Sequence, residues 1–394
     1  MRVTLVACGS RGDVQPMLAL ALGLRRAGHQ PLLTVPPDFA EWAGAFDCPV
    51  RALGPGFRGN PDMRDAGPRS LARFTKSEVS AEIRDLPEIA RGSDLVVATG
   101  LAFGAGSVAE HLRVPYRLVT FAPLAMMGTD KDPLWMAAAG RLARVVANAT
   151  LRGVLNRGRS TLGLPPLRDV MASWSGVRPI SATDRALTIL PDGAIPNAVQ
   201  TAYMHLRQPG TLSPEIREFL ASGPKPVYVG FGSLPIADPG KLARLLDEVS
   251  VALQRRLVVL TKGFSLDGLT GNPRCLVITE APLEQLFPCV AAVVHHGGSG
   301  TVATAARAGV PQVVAPHMSD QFQWANLVAR LGLGPRVGPL RTLSARKLAS
   351  AITECLSNPS FADRAREVSA VLAGGPDGVA LTVKLLEEDC RRAR

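Results

Sequence analysis

The chain has 394 residues, 46% of them hydrophobic and 20% charged, which is apolar material for more than one ordinary domain. High hydrophobicity, glycine without a three-residue period and only six cysteines exclude a disordered, collagenous or disulfide-scaffold protein. Lys+Arg 44 against Asp+Glu 33 leaves +11, but the arginines are scattered without a long basic run, which argues against nucleic acid as a partner.

The chain opens MRVTLVACGSRGDVQP, whose apolar run of about five residues is too short for a signal-peptide core and predicts a first strand. Further β-rich runs at 32–35, 95–98, 116–120 and 186–190 alternate with segments of helical periodicity. That βαβ rhythm predicts a doubly wound parallel sheet with ligands beyond the carboxyl ends of its strands. Around 207–226 the rhythm breaks into a Pro- and Gly-bracketed short helix that reads as a linker. A second series follows, with strands predicted at 227–231, 257–260, 275–279, 291–295 and 312–315. The expected organisation is an amino-terminal domain at 1–206, a linker at 207–226, a second domain at 227–374 and a final helix at 375–394 that packs back on the first domain. No stretch reaches the about 18 apolar residues of a membrane span, so a cytoplasmic protein without an integral membrane segment is expected. Cys8, Cys48, Cys275, Cys289, Cys355 and Cys390 show no C-x-x-C or other metal-ligand spacing and read as reduced, mostly buried thiols.

The strongest local feature is VVHHGGSGTVA at 293–303, a strand entering a Gly-rich turn that opens a helix. Such a turn lets backbone approach a phosphate, and helix-terminal N–H groups favour negative charge there. His295, Ser299 and Thr301 are positioned to add side-chain hydrogen bonds. No Gly-Lys-Ser/Thr follows, so this is not a P-loop, and neither half carries G-x-G-x-x-G. The alternative is a tight βα turn with two incidental histidines. Asp320 and Gln321 leave the next strand; an acidic acceptor beside an amide suits sugar hydroxyls, although alone the pair reads as a helix cap. Gly-x-Gly-Ser at 230–233 permits close approach of a ligand. Ser10, Arg11 and Asp13 follow the first strand, where Asp13 is either a general base or the N-cap of a helix at 14–26.

Together, GSRGDVQPMLALALGLRRAGH, VYVGFGSL and HHGGSGTVATAARAGVPQVVAPHMSDQ, in this order and spacing, resemble the bacterial family 1 glycosyltransferases of the GT-B fold. The likeness spans nearly the whole chain, most closely in the natural-product enzymes acting on glycopeptide antibiotics and macrolides, while the opening motif is similar to that of sterol glucosyltransferases. The resemblance implies two Rossmann-like α/β domains facing across a cleft, and inverting transfer from a dTDP- or UDP-sugar to an acceptor hydroxyl with no metal and no other cofactor. Asp13 matches the family's general base. Many relatives carry His there, oriented by a carboxylate about a hundred residues on, and no such partner is assigned near Thr120. His295, Gly298, Ser299, Gly300 and Thr301 match the diphosphate cradle, Ser233 matches a serine approaching the same diphosphate, and Ser10 and Arg11 complete it. Asp320 and Gln321 match the donor-sugar pair, and backbone around Ala281 matches the nucleobase contact. The aromatic platform that plant relatives carry near Glu280 is missing. An aglycone is expected along 58–84 and 124–155, where Met126, Met127 and Trp135 suit an apolar, irregular acceptor. A monomer or dimer is expected. Competing readings are a sterol or glycolipid glucosyltransferase and a non-catalytic nucleotide-sugar-binding helper.

Overall fold

The computed structural model describes residues 1–56, 60, 68–122, 134–190, 197–208, 210–232, 238–261, 265–269, 271–317 and 320–393, with backbone alone at 68, 134–140, 143 and 393. The chain divides into two units, one of Met1–Arg185, Ile189–Leu206 and Pro376–Arg394, the other of Ala186–Thr188 and Arg207–Gly375.

In the first unit β1 (Arg2–Cys8), α1 (Arg11–Arg26), β2 (Gln30–Val35), α2 (Pro37–Gly44), β3 (Val50–Ala52), α3 (Pro68–Ile89), β4 (Leu95–Gly100), α4 (Ala105–Leu112), β5 (Tyr116–Thr120), α5 (Leu134–Thr161), α6 (Val170–Ser175), β6 (Ile180–Ser181) and β7 (Val199–Gln200) follow in turn. Among the described residues the strands form one parallel sheet in the order β3-β2-β1-β4-β5-β6-β7. Alternate residues of β1 and β4 (Val6, Cys8, Val96, Ala98) pack with Val79, Ile83, Leu86, Val108, Leu151 and Leu155 from α3, α4 and α5. Crossovers leave β1 toward β2 on one side and reach β4 on the other, so the ends of β1 and β4 flank the switch point of the sheet.

The second unit runs α7 (Pro214–Ala221), β8 (Val227–Gly230), α8 (Pro239–Leu253), β9 (Leu257–Leu260), β10 (Cys275–Ile278), α9 (Leu283–Leu286), β11 (Ala292–His295), α10 (Ser299–Arg307), β12 (Gln312–Val314), α11 (Gln321–Arg330), α12 (Ala345–Ser357) and α13 (Pro359–Ala373). Its parallel sheet has the order β10-β9-β8-β11-β12, with the switch point between β8 and β11. Period-two alternation sorts its two cores: Val227, Val229, Val259 and Val294 face Leu242, Leu246, Leu348 and Ile352. Tyr228, Val258, Leu260 and Val293 face Ile216, Phe287 and Ala305. The chain closes with α14 (Gly378–Ala393), which lies on α1 so tightly that a Cβ on Gly23 would collide with Val379.

The two doubly wound α/β sheets are the expected ones. Three details differ. The run 186–190 forms no strand, and at its end Leu190 N–H donates to the Gln200 side chain (Oε1, 3.0 Å) instead of to a neighbouring strand. Residues read as a linker contribute Leu212 and Ile216 to the second unit's core. Helix α1 begins at Arg11, three residues before the expected start. The apolar stretch over α13 and α14 is broken at 374–377 into helices of 15 and 16 residues, each below the about 20 residues needed to span a bilayer.

Helix α14 is anchored by charge as well as packing. Asp389, 3% exposed, accepts from Arg117 Nε (2.6 Å) and Arg178 Nη1 (2.7 Å). Burial alone would raise its pKa, but the two guanidiniums outweigh that and hold it below the usual aspartate range. Because the folded pKa lies below the unfolded one, this stabilisation is complete above about pH 4 and disappears as pH falls through the folded value. Asp389→Asn is expected to lower unfolding free energy by about 3 kcal/mol at neutral pH, with the gap to the parent narrowing in acid. Equal urea midpoints at pH 7 would disprove the anchor.

Candidate active site

At the end of β1, Gly9 adopts φ +126° and turns the chain into α1. Ser10 is the N-cap: its Oγ accepts from Gly12 N–H (3.2 Å) and donates to Asp13 Oδ2 (3.2 Å), which also accepts from Ser10 N–H (2.9 Å). This reciprocal capping box fixes the Asp13 carboxylate in the first turn. Asp13 is thus not the N-cap that position alone allowed. A Cβ on Gly9 would sit 2.6 Å from Asp13 Oδ2, and one on Gly100 (φ +65°) would be 3.1 Å from Oδ1 and collide with Cys8 O. Two glycines at the switch point therefore make room for one carboxylate. Arg11 turns along the helix, its Nε donating to Gln15 (3.2 Å) and its guanidinium lying 4.2 Å from the Trp42 ring centroid.

Beneath this turn lies a buried acidic layer that composition and spacing did not reveal. Cys8 Sγ donates to Glu78 Oε2 (3.1 Å), and Glu82 Oε2 accepts from Gly104 N–H (2.5 Å) at the start of α4. The thiol and the two carboxyl groups offer ligand atoms within 4.8 Å of one another. Both glutamates are 1% exposed, and among the described residues their Oε1 atoms meet no hydrogen-bond partner. Burial pushes Glu78 up to about 7, and burial together with the Glu78 charge pushes Glu82 well above the carboxylate range. In the segment after β7, Tyr203 makes edge-on contacts with Phe121 (5.9 Å), which follows β5, and with His205 (4.8 Å). Burial raises its phenol pKa, with further contributions from the charges of Asp13 and Asp184. Asp184, 4% exposed, accepts from Tyr203 N–H (3.4 Å). At the end of β5, Thr120 Oγ1 donates to Ala122 O (3.2 Å) and accepts from Ala122 N–H (3.2 Å); among the described residues, the acid sharing Tyr203 with Asp13 stands one strand later.

In the second unit β11 feeds the glycine turn and α10, whose N-cap Gly298 provides no side-chain cap. The first N–H groups of Ser299, Gly300 and Thr301 are therefore available for an anion. Gly297 has φ +93°, and a Cβ there would lie 2.9 Å from Val314 and 3.0 Å from Gln321 O, so the glycine lets this turn pack directly against the start of α11. His295 departs from expectation. It is 0% exposed, its Nδ1 accepts from Gly297 N–H (3.1 Å) and its Nε2 bonds Gln312 Oε1 (3.0 Å). Burial, then the charge of His296, pushes it down to about 3. A neutral His295 shapes the turn from inside instead of offering a side-chain donor to phosphate. Its neighbour His296, which sequence reasoning passed over, lies between Gly232 (φ +77°) and Gly298: Cβ atoms there would sit 2.7 Å from its Cε1 and 2.7 Å from its Nε2. The signal was present in the Gly-x-Gly at the end of β8, whose second glycine admits the imidazole.

Asp320 occupies the N-cap position of α11 but makes no side-chain cap bond, which removes the cap reading, and burial raises its pKa to about 6. Gln321, 7% exposed, folds back so that Oε1 accepts from His317 N–H (2.8 Å). Ala281 packs its methyl into the core with Leu212, Tyr228 and Phe287, leaving its backbone for contact. In the first unit Ser10 and Asp13 are brought together while Arg11 turns to Trp42; in the second the 295–301 turn meets Gln321. Ser233, Met126 and Met127, and the side chain of Trp135, lie outside the described residues.

Residues 3–126 match the N-terminal domain of glycosyltransferase family 28, and residues 243–387 match the C-terminal domain of the erythromycin biosynthesis protein CIII-like family. The vancomycin aglycone glucosyltransferase of Amycolatopsis orientalis is 35% identical over 413 residues, covering 100% of this chain and 99% of the relative. The chain belongs to the natural-product glycosyltransferases of the GT-B fold. The dTDP-epi-vancosaminyltransferase of the same organism is 33% identical, with 93% of each chain covered. The solved structure of the glycosyltransferase VinC in complex with dTDP superposes with a TM-score of 0.75 at 20% identity, covering 100% of both chains, a likeness of fold.

The acidic layer of this glycosyltransferase has a measurable signature. Glu78 has a folded pKa above its unfolded value, so protonation stabilises the fold at low pH and that gain is lost as pH rises from about 4.5 through about 7. Glu78→Gln, which mimics the protonated form, is expected to be more stable than the parent at pH 8 by on the order of 2 kcal/mol and equal to it at pH 5. A variant less stable than the parent at pH 8 would show that the carboxylate is compensated.

Proposed function

We propose that this glycosyltransferase moves a sugar, with inversion, from a dTDP- or UDP-sugar to a hydroxyl of a largely apolar natural-product aglycone, with Asp13 as general base. The observation that carries the donor half is the uncapped α10 terminus packed against the start of α11, which joins an anion site to Asp320 in one unit. The names of the dTDP-epi-vancosaminyltransferase relative and of the VinC structure in complex with dTDP support the thymidine nucleotide.

Chemically, the acceptor oxygen forms a bond to sugar C1 as its proton passes to Asp13, and the C1–O bond to the diphosphate breaks. The departing diphosphate takes the electron pair, and backbone N–H groups at 299–301 meet its charge. The capping box suits Asp13 for this role, because a carboxylate held through one oxygen keeps its orientation while protons are exchanged. Asp320 accepts hydrogen bonds from donor-sugar hydroxyls, and Ala281 backbone meets the base. This scheme needs neither metal nor organic cofactor. An apolar acceptor accords with α5, where Leu142, Val145 and Val146 are 63%, 63% and 54% exposed at helical spacing near the sequence containing Met126, Met127 and Trp135.

Asp13→Asn is expected to bind dTDP like the parent while transfer to a glycopeptide or macrolide aglycone falls about a thousandfold; undiminished turnover would exclude the base assignment. Asp320→Asn is expected to raise the donor KM with dTDP affinity retained. The parent's kcat/KM for donor should fall as pH drops through about 6, since the acceptor carboxylate is then protonated. Exhaustive EDTA treatment should leave turnover intact, and loss restored by Mg²⁺ would require a metal-assisted scheme instead.

A further inference from the structure

The first unit also has a cavity of about 660 Å³ away from Asp13, lined by Arg117, Arg178, Val199, Asp389 and Arg392 among others. The strand register explains its location. Val119 pairs with Ile180 and Ile180 with Val199, so Arg117, Arg178 and Asn197 occupy neighbouring positions at the N-terminal edge of the sheet. Asp13 follows the C-terminal end of β1, at the opposite edge.

The charges in this cavity do not cancel. Asp389 gives one oxygen to each of Arg117 and Arg178, whose side chains are only 14% and 23% exposed, and Arg392 adds a third guanidinium. Arg117 Nη1 also donates to Tyr116 O (2.8 Å). Among the described residues, Arg117 Nη2 and Arg178 Nε and Nη2 meet no protein acceptor. One carboxylate, paired with two of the three arginines, thus leaves a positive balance in a partly desolvated recess, and planar guanidiniums with spare donors suit an oxyanion. Pro115, Val177 and Val199 supply apolar wall, with Val177 77% exposed, and the volume falls within the range of small-molecule sites.

We propose that this recess is a second ligand site, taking a small organic molecule with an apolar body and a phosphate or carboxylate group. The guanidiniums of Arg178 and Arg392 grip the oxyanion, Asp389 holds Arg117 and Arg178 in register, and the valines cover the body. The site is independent of the donor and acceptor assignments.

Calorimetric titration of the full chain with phenyl phosphate, benzoate and phenol tests this, alongside Arg178→Gln and the more exposed Arg392→Gln. Binding of phenyl phosphate, benzoate or both to the parent is expected. Affinity should fall about tenfold in Arg178→Gln, the loss of one charge-assisted bond, and severalfold in Arg392→Gln, while phenol shows no dependence on either arginine. The phenyl phosphate and benzoate arms distinguish a phosphate from a carboxylate ligand. No binding to the parent, equal affinity in parent and both variants, or equal dependence for phenol would overturn the proposal. Arginine-dependent binding of a hexaglutamate peptide without either small anion would also overturn it, making the recess a dock for an acidic protein. If Arg178→Gln fails to fold, the Arg392→Gln comparison decides.

Discussion

Each parallel sheet in this chain has a point where crossovers diverge, and there the strand ends are left uncovered. In the first unit that point lies between β1 and β4, and in the second between β8 and β11. Helices cannot fill these places, so short turns built on glycine do. Gly9 and Gly100 close around a carboxylate in one unit, and Gly232 and Gly298 around an imidazole in the other. Both constructions depend on missing Cβ atoms more than on any single hydrogen bond, because a side chain at any of these four positions would displace the polar group that it now admits.

The electrostatic character of the two turns differs. Asp13 sits above Glu78, Glu82 and Cys8, groups for which burial favours the protonated form. Favouring the protonated form of these buried acids limits the stacking of like charges in a poorly solvated layer. In the second unit a neutral His295 supports a turn whose exposed N–H groups attract anions. Keeping the internal histidine uncharged lets it accept from Gly297 N–H, which a protonated ring could not do.

Much of the fold was legible because β-rich runs and helical periodicity alternate with little ambiguity, and all five strands expected in the second half are present. Strands β3, β6 and β7 have 3, 2 and 2 residues, too few to carry a period. The run 186–190 has strand-like residues but joins no ladder, and its Leu190 N–H meets the Gln200 side chain, a contact no local pattern encodes. The glycine turn before α10 was legible as a piece of backbone, since the sequence places it between β11 and α10 where the structure has it. Site residues were less legible where role depends on burial. His295 looked like a phosphate ligand until its two ring nitrogens proved engaged, and Glu78, Glu82 and Asp184 carry no spacing signal because α3 and a segment after β6 bring them in.

The close seat of α14 on α1 has a consequence for biogenesis. The first unit's strands are synthesised early, yet the helix that covers α1 and supplies Asp389 is made only after the whole second unit. During translation the second unit has its own sheet and helices in sequence before then, whereas α1 must wait with an apolar face uncovered. Of the two units, the one begun earlier is therefore completed later, and a ribosome that stops short of α14 releases a chain with its earlier half unfinished and prone to capture by chaperones.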